Sequence, residues 1–206
     1  MGALLVRGTM HLLGWNSVRW FLYTIATLAI CLVIYVGSAF ASLAALVVAV
    51  RRGDVELVMA HTDLPRVHHA MVDQLVEAYL RRLGRARPIK PLERLAINTF
   101  GAGIADELTG KLMTHKNIAA LLQTGAVRGD VDIEAIPPLA NVDLSNVATY
   151  MGRIVPIKPV EFSLQLGPGE DTGSISMHFS RGGWKLSAIN LPSRVLAMLV
   201  ERLPVR

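Results

Sequence analysis

The 206-residue chain has a single cysteine, Cys31. No disulfide can form within it, and no cysteine cluster can hold a metal. It has no Gly-x-Ser-x-Gly elbow of the kind that presents a catalytic serine, and no His-Glu-x-x-His metal pattern. Gly101-Ala102-Gly103 lacks the third glycine and the preceding strand of a nucleotide-binding fingerprint. Basic excess is slight. Of the net charge of +5, Arg7 and Arg19 supply two, which leaves +3 for everything after them. That is too mild to argue nucleic-acid binding. The most consequential absence is local: no charged residue stands between Arg19 and Arg51.

Within that gap, Trp20 to Phe40 reads as a membrane-spanning helix. A bilayer core about 30 Å thick needs roughly 20 apolar residues in a helix, and a helix satisfies its own backbone hydrogen bonds there. Phe21, Leu22, Ile25, Leu28, Ile30, Leu32, Val33, Ile34, Val36 and Phe40 favour insertion by about 3–6 kcal/mol together. Thr24, Thr27 and Ser38 oppose it weakly, because short hydroxyls can bond back to the preceding turn. Trp15, Trp20 and Tyr23 fall where one interface belongs, and Tyr35 lies towards the other. The flanks set an expected orientation. Arg7 and Arg19 have no acid beside them, whereas Arg51 and Arg52 are followed by Asp54 and Glu56. The positive-inside bias therefore places the N-terminus in the cytoplasm and the rest outside. Ala39-Phe40-Ala41 has the small-x-small form of a cleavage site, so a removed signal peptide is the second reading.

In chain order, residues 1–19 are a cytoplasmic leader, either a frayed tail or an interfacial helix. Residues 20–40 are the anchor, and 41–206 form one domain. Leu43, Leu46, Val47 and Val50 continue a helical face to Arg52, with Gly53 as its cap. Asp54 caps a short helix, Val55 to His61, and Asp63 caps a longer one to about Leu83, ending at Gly84. Val67, Met71, Leu75, Ala78 and Leu83 are spaced along it for a buried stripe. Arg81, Arg82, Arg85, Arg87, Lys90 and Arg94 form a dense basic run, interrupted by Pro88 and Pro91 and read as an interhelical loop. The next helix carries Leu92, Leu95, Ala96, Thr99, Phe100, Ile104 and Leu108, with Gly101 and Gly103 either allowing close packing or marking a break. Thr114 caps a helix from His115 to Gln123, closed by Gly125. Helices thus occupy 42–123. Residues 126–148 read as a long surface loop.

Period-two alternation then appears at Val160 to Leu166, Ile175 to Phe179, and Trp184 to Leu186. Gly167-Pro168-Gly169 and Arg181-Gly182-Gly183 supply turns. An antiparallel sheet of three strands over 149–191 is expected, with a fourth if 149–157 joins, and then a helix over 194–203. The fold class is α+β, the helical half packed on one face of the small sheet.

Several residues invite chemistry. His61, His68 and His69, with Asp63 and Asp73, suggest a metal, but adjacent histidines point about 100° apart on a helix, and a polar face is the better reading. The side chains of Asp106 and Glu107 also diverge. Trp184 and Phe179 read as core. The basic run could meet anionic headgroups, at about 1 kcal/mol per cation near a surface. It lacks the interleaved aromatics that stack bases, so no nucleic-acid partner is expected. No catalytic, cofactor or metal site is assigned.

Four motifs carry a family resemblance. They are Gly53-Asp54; Thr62-Asp63-Leu64-Pro65 nine residues on; Thr114-His115-Lys116-Asn117-Ile118; and Trp184-Lys185-Leu186-Ser187-Ala188-Ile189-Asn190-Leu191-Pro192. The chain resembles the bacterial domain-of-unknown-function family 2939, over roughly residues 41–192. The third motif departs most, lacking the family's proline and glycine. The resemblance singles out Asp54, Asp63, Pro65, Trp184, Lys185, Leu186 and Pro192, and implies an anchored domain with no assigned activity. The expectation is therefore a single-pass protein of the bacterial inner membrane. Its partners would be the lipid bilayer, through residues 20–40, and an envelope protein or small ligand bound by a non-catalytic periplasmic domain.

Overall fold

A computed structural model describes residues 10–86, 90–127, 133–142, 152–169 and 171–201. The chain divides into two units, Met1–Ala41 and Ser42–Arg206. One helix, α1 (Met10–Arg52), runs through the boundary between them.

In the first unit α1 begins earlier than the anchor reading required, so the described end of the leader, from Met10, is helical. The hydroxyls behave as expected of short side chains in an apolar helix. Thr24 donates to the Trp20 carbonyl at 2.9 Å, Thr27 to Tyr23 at 2.8 Å and Ser38 to Tyr35 at 2.7 Å. Large apolar side chains from Trp20 to Val36 are exposed, among them Leu28 at 64% and Ile34 at 66%. A core helix would bury such residues. Among the described residues one helix, Arg19–Arg52, is long and apolar enough to cross a membrane.

The second unit starts with the last turns of α1, whose Leu43, Leu46, Val47 and Val50 are fully buried. Gly53 (φ +67°) ends the helix in a left-handed conformation that glycine adopts without steric cost. Asp54 then accepts from the Leu57 amide at 3.0 Å and starts α2 (Val55–Ala60). Asp63 accepts from the Arg66 amide at 3.3 Å and starts α3 (Leu64–Ala86), with Pro65 in its first turn. Val67, Met71 and Leu75 are buried as the stripe requires, and Ala78 and Leu83 are half-buried.

Gly84 does not stop α3, which continues to Ala86. Glycine in a helix costs about 1 kcal/mol, and α3 packs against the sheet and two other helices, so tertiary contact overrides the local preference. Arg81, Arg82 and Arg85 are therefore helical rather than in a loop. Residues 87–89 lie outside the described residues. Then come α4 (Pro91–Ala96), a π turn (Ile97–Gly101) and α5 (Ala102–Leu112) in unbroken succession. Gly101 and Gly103 do not break the helix. Thr114 caps α6 (His115–Thr124), accepting from the Asn117 amide at 3.3 Å. Gly125 (φ +76°) closes it, and a Cβ there would collide with the Ile136 carbonyl.

The surface-loop reading of 126–148 is overturned for its described part. β1 (Ala126–Val127) pairs antiparallel with β2 (Ile133–Glu134), and a 3-10 turn spans Leu139–Asn141. Ala135, Ile136, Leu139 and Val142 are buried. Arg51 fastens the segment, donating to the Ala140 and Val142 carbonyls at 2.8 Å each. The cause of the misreading is that these apolar residues follow neither a helical nor a strand period.

The main sheet has four antiparallel strands in sequence order: β3 (Ile154–Lys158), β4 (Glu161–Gln165), β5 (Ser174–Ser180) and β6 (Gly183–Asn190). The fourth strand left open above is present. The fold is α+β. Phe162, Leu164, Ile175, Met177 and Leu186 share its buried face. In β6 the pairing steps from Met177↔Leu186 to Ser176↔Ala188, so Ser187 is an extra, bulged residue. The bulge resets the alternation, which lets Trp184, Leu186, Ile189 and Leu191 all be buried. Phe179 departs from the core reading: it is 40% exposed, at the edge of Trp184. The final helix, α7 (Ser193–Glu201), follows Pro192, and residues 202–203 of the expected span lie outside the described residues.

The outer edge of β6 is closed without a fifth strand. The Asp63 amide donates to the Leu186 carbonyl at 2.8 Å, and the Leu186 amide to the His61 carbonyl at 2.8 Å. Further along, Gln74 of α3 donates to the Ile189 carbonyl at 3.0 Å and accepts from the Leu191 amide at 3.0 Å. Replacing Gln74 by Ala leaves a part-buried donor and acceptor unpaired, at a cost of about 1–3 kcal/mol. Urea unfolding of Gln74→Ala should show that loss. The exposed neighbour Asp73→Ala should change stability by no more than about 0.5 kcal/mol.

Candidate functional site

Two of the motifs, those around Asp63 and Leu186, come together in space, and what they build is the sheet edge. Asp54 and Asp63 cap helices, and the Thr62-Asp63 segment forms a parallel bridge with Leu186. Trp184 packs on Phe162 with ring centroids 5.1 Å apart and on Phe179 at 5.5 Å. Lys185 stands opposite His178, and the Pro192 carbonyl accepts from two amides of the first turn of α7, those of Val195 and Leu196. Each of these roles is architectural.

The histidines and acids disperse. His61 Nδ1 bonds the Leu57 carbonyl at 2.9 Å, His68 faces Asp106 at 3.5 Å across α3 and α5, and His69 faces Asp73 at 3.6 Å along α3. Among the described residues no three metal-ligating side chains converge. Asp106 and Glu107 diverge as expected. Glu107 takes a 2.8 Å hydrogen bond from Lys111, one turn on, and that bond and charge hold its carboxyl below the usual range.

Two concave features lie around α7. A groove of about 290 Å³ runs between α3 and α7, lined by Ala78, Arg81, Arg82, Ser193, Leu196, Ala197, Val200 and Glu201. Two cations of the basic run thus border an otherwise largely apolar channel. Arg81 also pairs with Glu77 at 3.7 Å. At the start of α7 lies a second recess, of about 550 Å³, lined by Thr124, Gly125, Ile136, Pro137, Pro138, Asp171, Thr172 and Arg194. Four separate segments build it: the end of α6, the stretch 136–138, the turn before β5 and the start of α7. Its polar groups are one carboxylate, one guanidinium and hydroxyls, on a proline-rich wall. That suits a small ligand with both polar and apolar parts. Sequence reading assigned none of these residues to a site, because 126–148 was read as a surface loop and Gly125 as a helix cap alone. The one available signal was Pro137-Pro138 beside buried-type residues.

Asp171 is the electrostatic centre of this region. It accepts from the Ser193 amide at 2.7 Å, an N-terminal amide of α7 with no partner inside its own helix. The bonds from Ser193 hold its carboxyl below the ordinary value, and the charges of Arg194 and Arg81 add to this. The carboxylate therefore fastens α7 to the turn that precedes β5.

Residues 28–121 match one family model. The family is DUF2939, a protein family of unknown function. The resemblance carried by the first three motifs is thereby borne out. The fourth motif, 184–192, lies beyond the matched residues, yet it is hydrogen-bonded to Asp63 inside them. No curated protein and no solved structure matches the chain.

Removing the Asp171 carboxylate should loosen α7. A depressed carboxyl stabilises the folded state fully above its ordinary value of 3.8, and that stabilisation is lost as pH falls through the lower, folded value. Thermal unfolding of Asp171→Ala followed by circular dichroism should therefore fall below wild type at neutral pH. The gap should narrow steadily in strongly acidic buffer.

Proposed function

We propose that this DUF2939 chain is a single-pass membrane protein whose α+β domain binds a small ligand or a partner protein at the cell envelope, without catalysis. The observation that carries the reading is the uncharged stretch of α1, whose apolar side chains from Trp20 to Val36 are exposed. Water is a poor solvent for that surface and hydrocarbon a good one. Arg7 and Arg19 before the span, against Asp54 and Glu56 after it, favour a cytoplasmic N-terminus and a periplasmic domain in a bacterial inner membrane. The recess beside α7 is the ligand site in this reading. Glu107 and Asp171 owe their lowered carboxyls to a lysine one turn away and to a helix amide. Neither needs a role in proton transfer to account for its state.

Full-length protein should stay with the membrane in alkaline carbonate, with its N-terminus uncut. A reporter active only outside the cytoplasm, fused after Arg206, should be active. Release of the uncut chain into the carbonate wash would end the reading, and recovery of a chain beginning at Ser42 would replace the anchor with a removed signal segment. For binding, a photocrosslinking residue at Thr172 in cells should capture a discrete adduct that the same residue at Lys116, exposed on α6, does not. Identical adduct patterns at the two positions would remove the recess as a site.

A further inference from the structure

The helix that follows Lys90 exposes apolar side chains within the most basic stretch of the sequence. From Arg81 to Arg94 the chain has six cations and one acid, Glu93. Arg81, Arg82 and Lys90 are exposed. Directly after Lys90, Leu92 is 81% exposed and Leu95, one turn on, 62%. Beyond the π turn Ile104 is also exposed. The other side of the same helical run is committed: Ala105 and Thr109 are buried, and α5 packs on α3. Leu92 and Leu95 are thus exposed within the stretch of the chain densest in positive charge.

We infer that Leu92 and Leu95, within the basic stretch of sequence that includes Arg81, Arg82 and Lys90, form a shallow insertion surface for an anionic lipid bilayer. Charge decides the occupant. The cations are of one sign and sit on long stems that reach headgroups while their methylenes lie along apolar surface. Anionic headgroups attract such a cluster over a Debye length of about 8 Å at physiological salt. Size points the same way. A stable protein interface buries at least about 1,000 Å², far more than three side chains on one helix edge offer. Interfacial insertion needs only a few apolar side chains at the headgroup boundary, with cations beside them. The inference deepens the membrane reading above, and its test separates the two.

The test uses the full chain in nanodiscs, with Cys31→Ser and Leu95→Cys, labelled with a polarity-sensitive fluorophore. Leu92→Cys serves as a second reporter and Lys116→Cys as the control. In phosphatidylglycerol-containing discs the Leu95 and Leu92 probes should emit at shorter wavelength than the Lys116 probe and be quenched by doxyl-labelled lipid. Both effects should disappear in discs of phosphatidylcholine alone, and at about 1 M salt, where the Debye length falls to about 3 Å. Arg82→Glu combined with Lys90→Glu should abolish them. A Leu95 probe that matches Lys116 in both lipids overturns the inference while leaving the anchor intact. So does a probe shielded equally in both lipids or in detergent, since that shielding comes from protein. A chain that fails to enter discs at all overturns the anchor reading instead.

Discussion

A sheet edge presents a row of backbone amides and carbonyls, and leaving them buried and unpaired costs free energy comparable to lost hydrogen bonds. The second unit of this chain is arranged around solving that problem at one strand. β6 has β5 on one side; on the other it meets the His61–Asp63 segment and the side-chain amide of Gln74. Because those partners belong to the entry and the middle of α3, closing the edge also docks α3. Helix α3 in turn supports α5 and α7. One set of hydrogen bonds thus joins the helical half of the domain to its sheet, which explains why the motif around Asp63 and the motif around Leu186 are coupled. The opposite edge is managed differently. β3 carries Pro156, and its pairing with β4 shifts between Pro156 and Lys158, two features that discourage a further strand from adding.

Two concave features lie near α7. Asp171 holds the start of the helix, Arg81 and Arg82 border the groove beside it, and the wider recess opens at the same end. The interior is built from aliphatic and aromatic packing, with Trp184 between Phe162 and Phe179. Small side chains in the sheet bond to strand carbonyls, as Ser163 does to Ile175 and Ser187 to Ser176.

Much of the helical half was legible because capping is local. An aspartate or threonine three residues before the amide it accepts, as at Asp54, Asp63 and Thr114, is visible in a string of letters. So is a glycine at a helix end, as at Gly53 and Gly125. Gly84 has the same signature and means something else, because packing along α3 outweighs its cost. The strands were legible by alternation, up to Ser187. There one extra residue moves Ile189 and Leu191 onto the buried side, and no periodicity announces a bulge. Segment 135–142 was misread for a related reason: its buried residues answer to Arg51 and to the end of α6, not to any repeat of their own. The same blindness applied to the recess, whose walls come from four stretches separated in the chain.

The amino-acid order by itself determined that α1 is apolar and uncharged across a bilayer's thickness, that helices precede strands, and where most helices begin. Those properties are sums over neighbouring residues: transfer from water, helical hydrogen bonding and side-chain alternation all act within a few positions. Only the tertiary structure decided how β6 is closed, why the two motifs belong together, where the recess lies, and that Leu92 and Leu95 face outward. These rest on groups that meet across long separations, such as Gln74 and Ile189, 115 positions apart. Which backbone groups still need a partner is known only once the chain has folded around them.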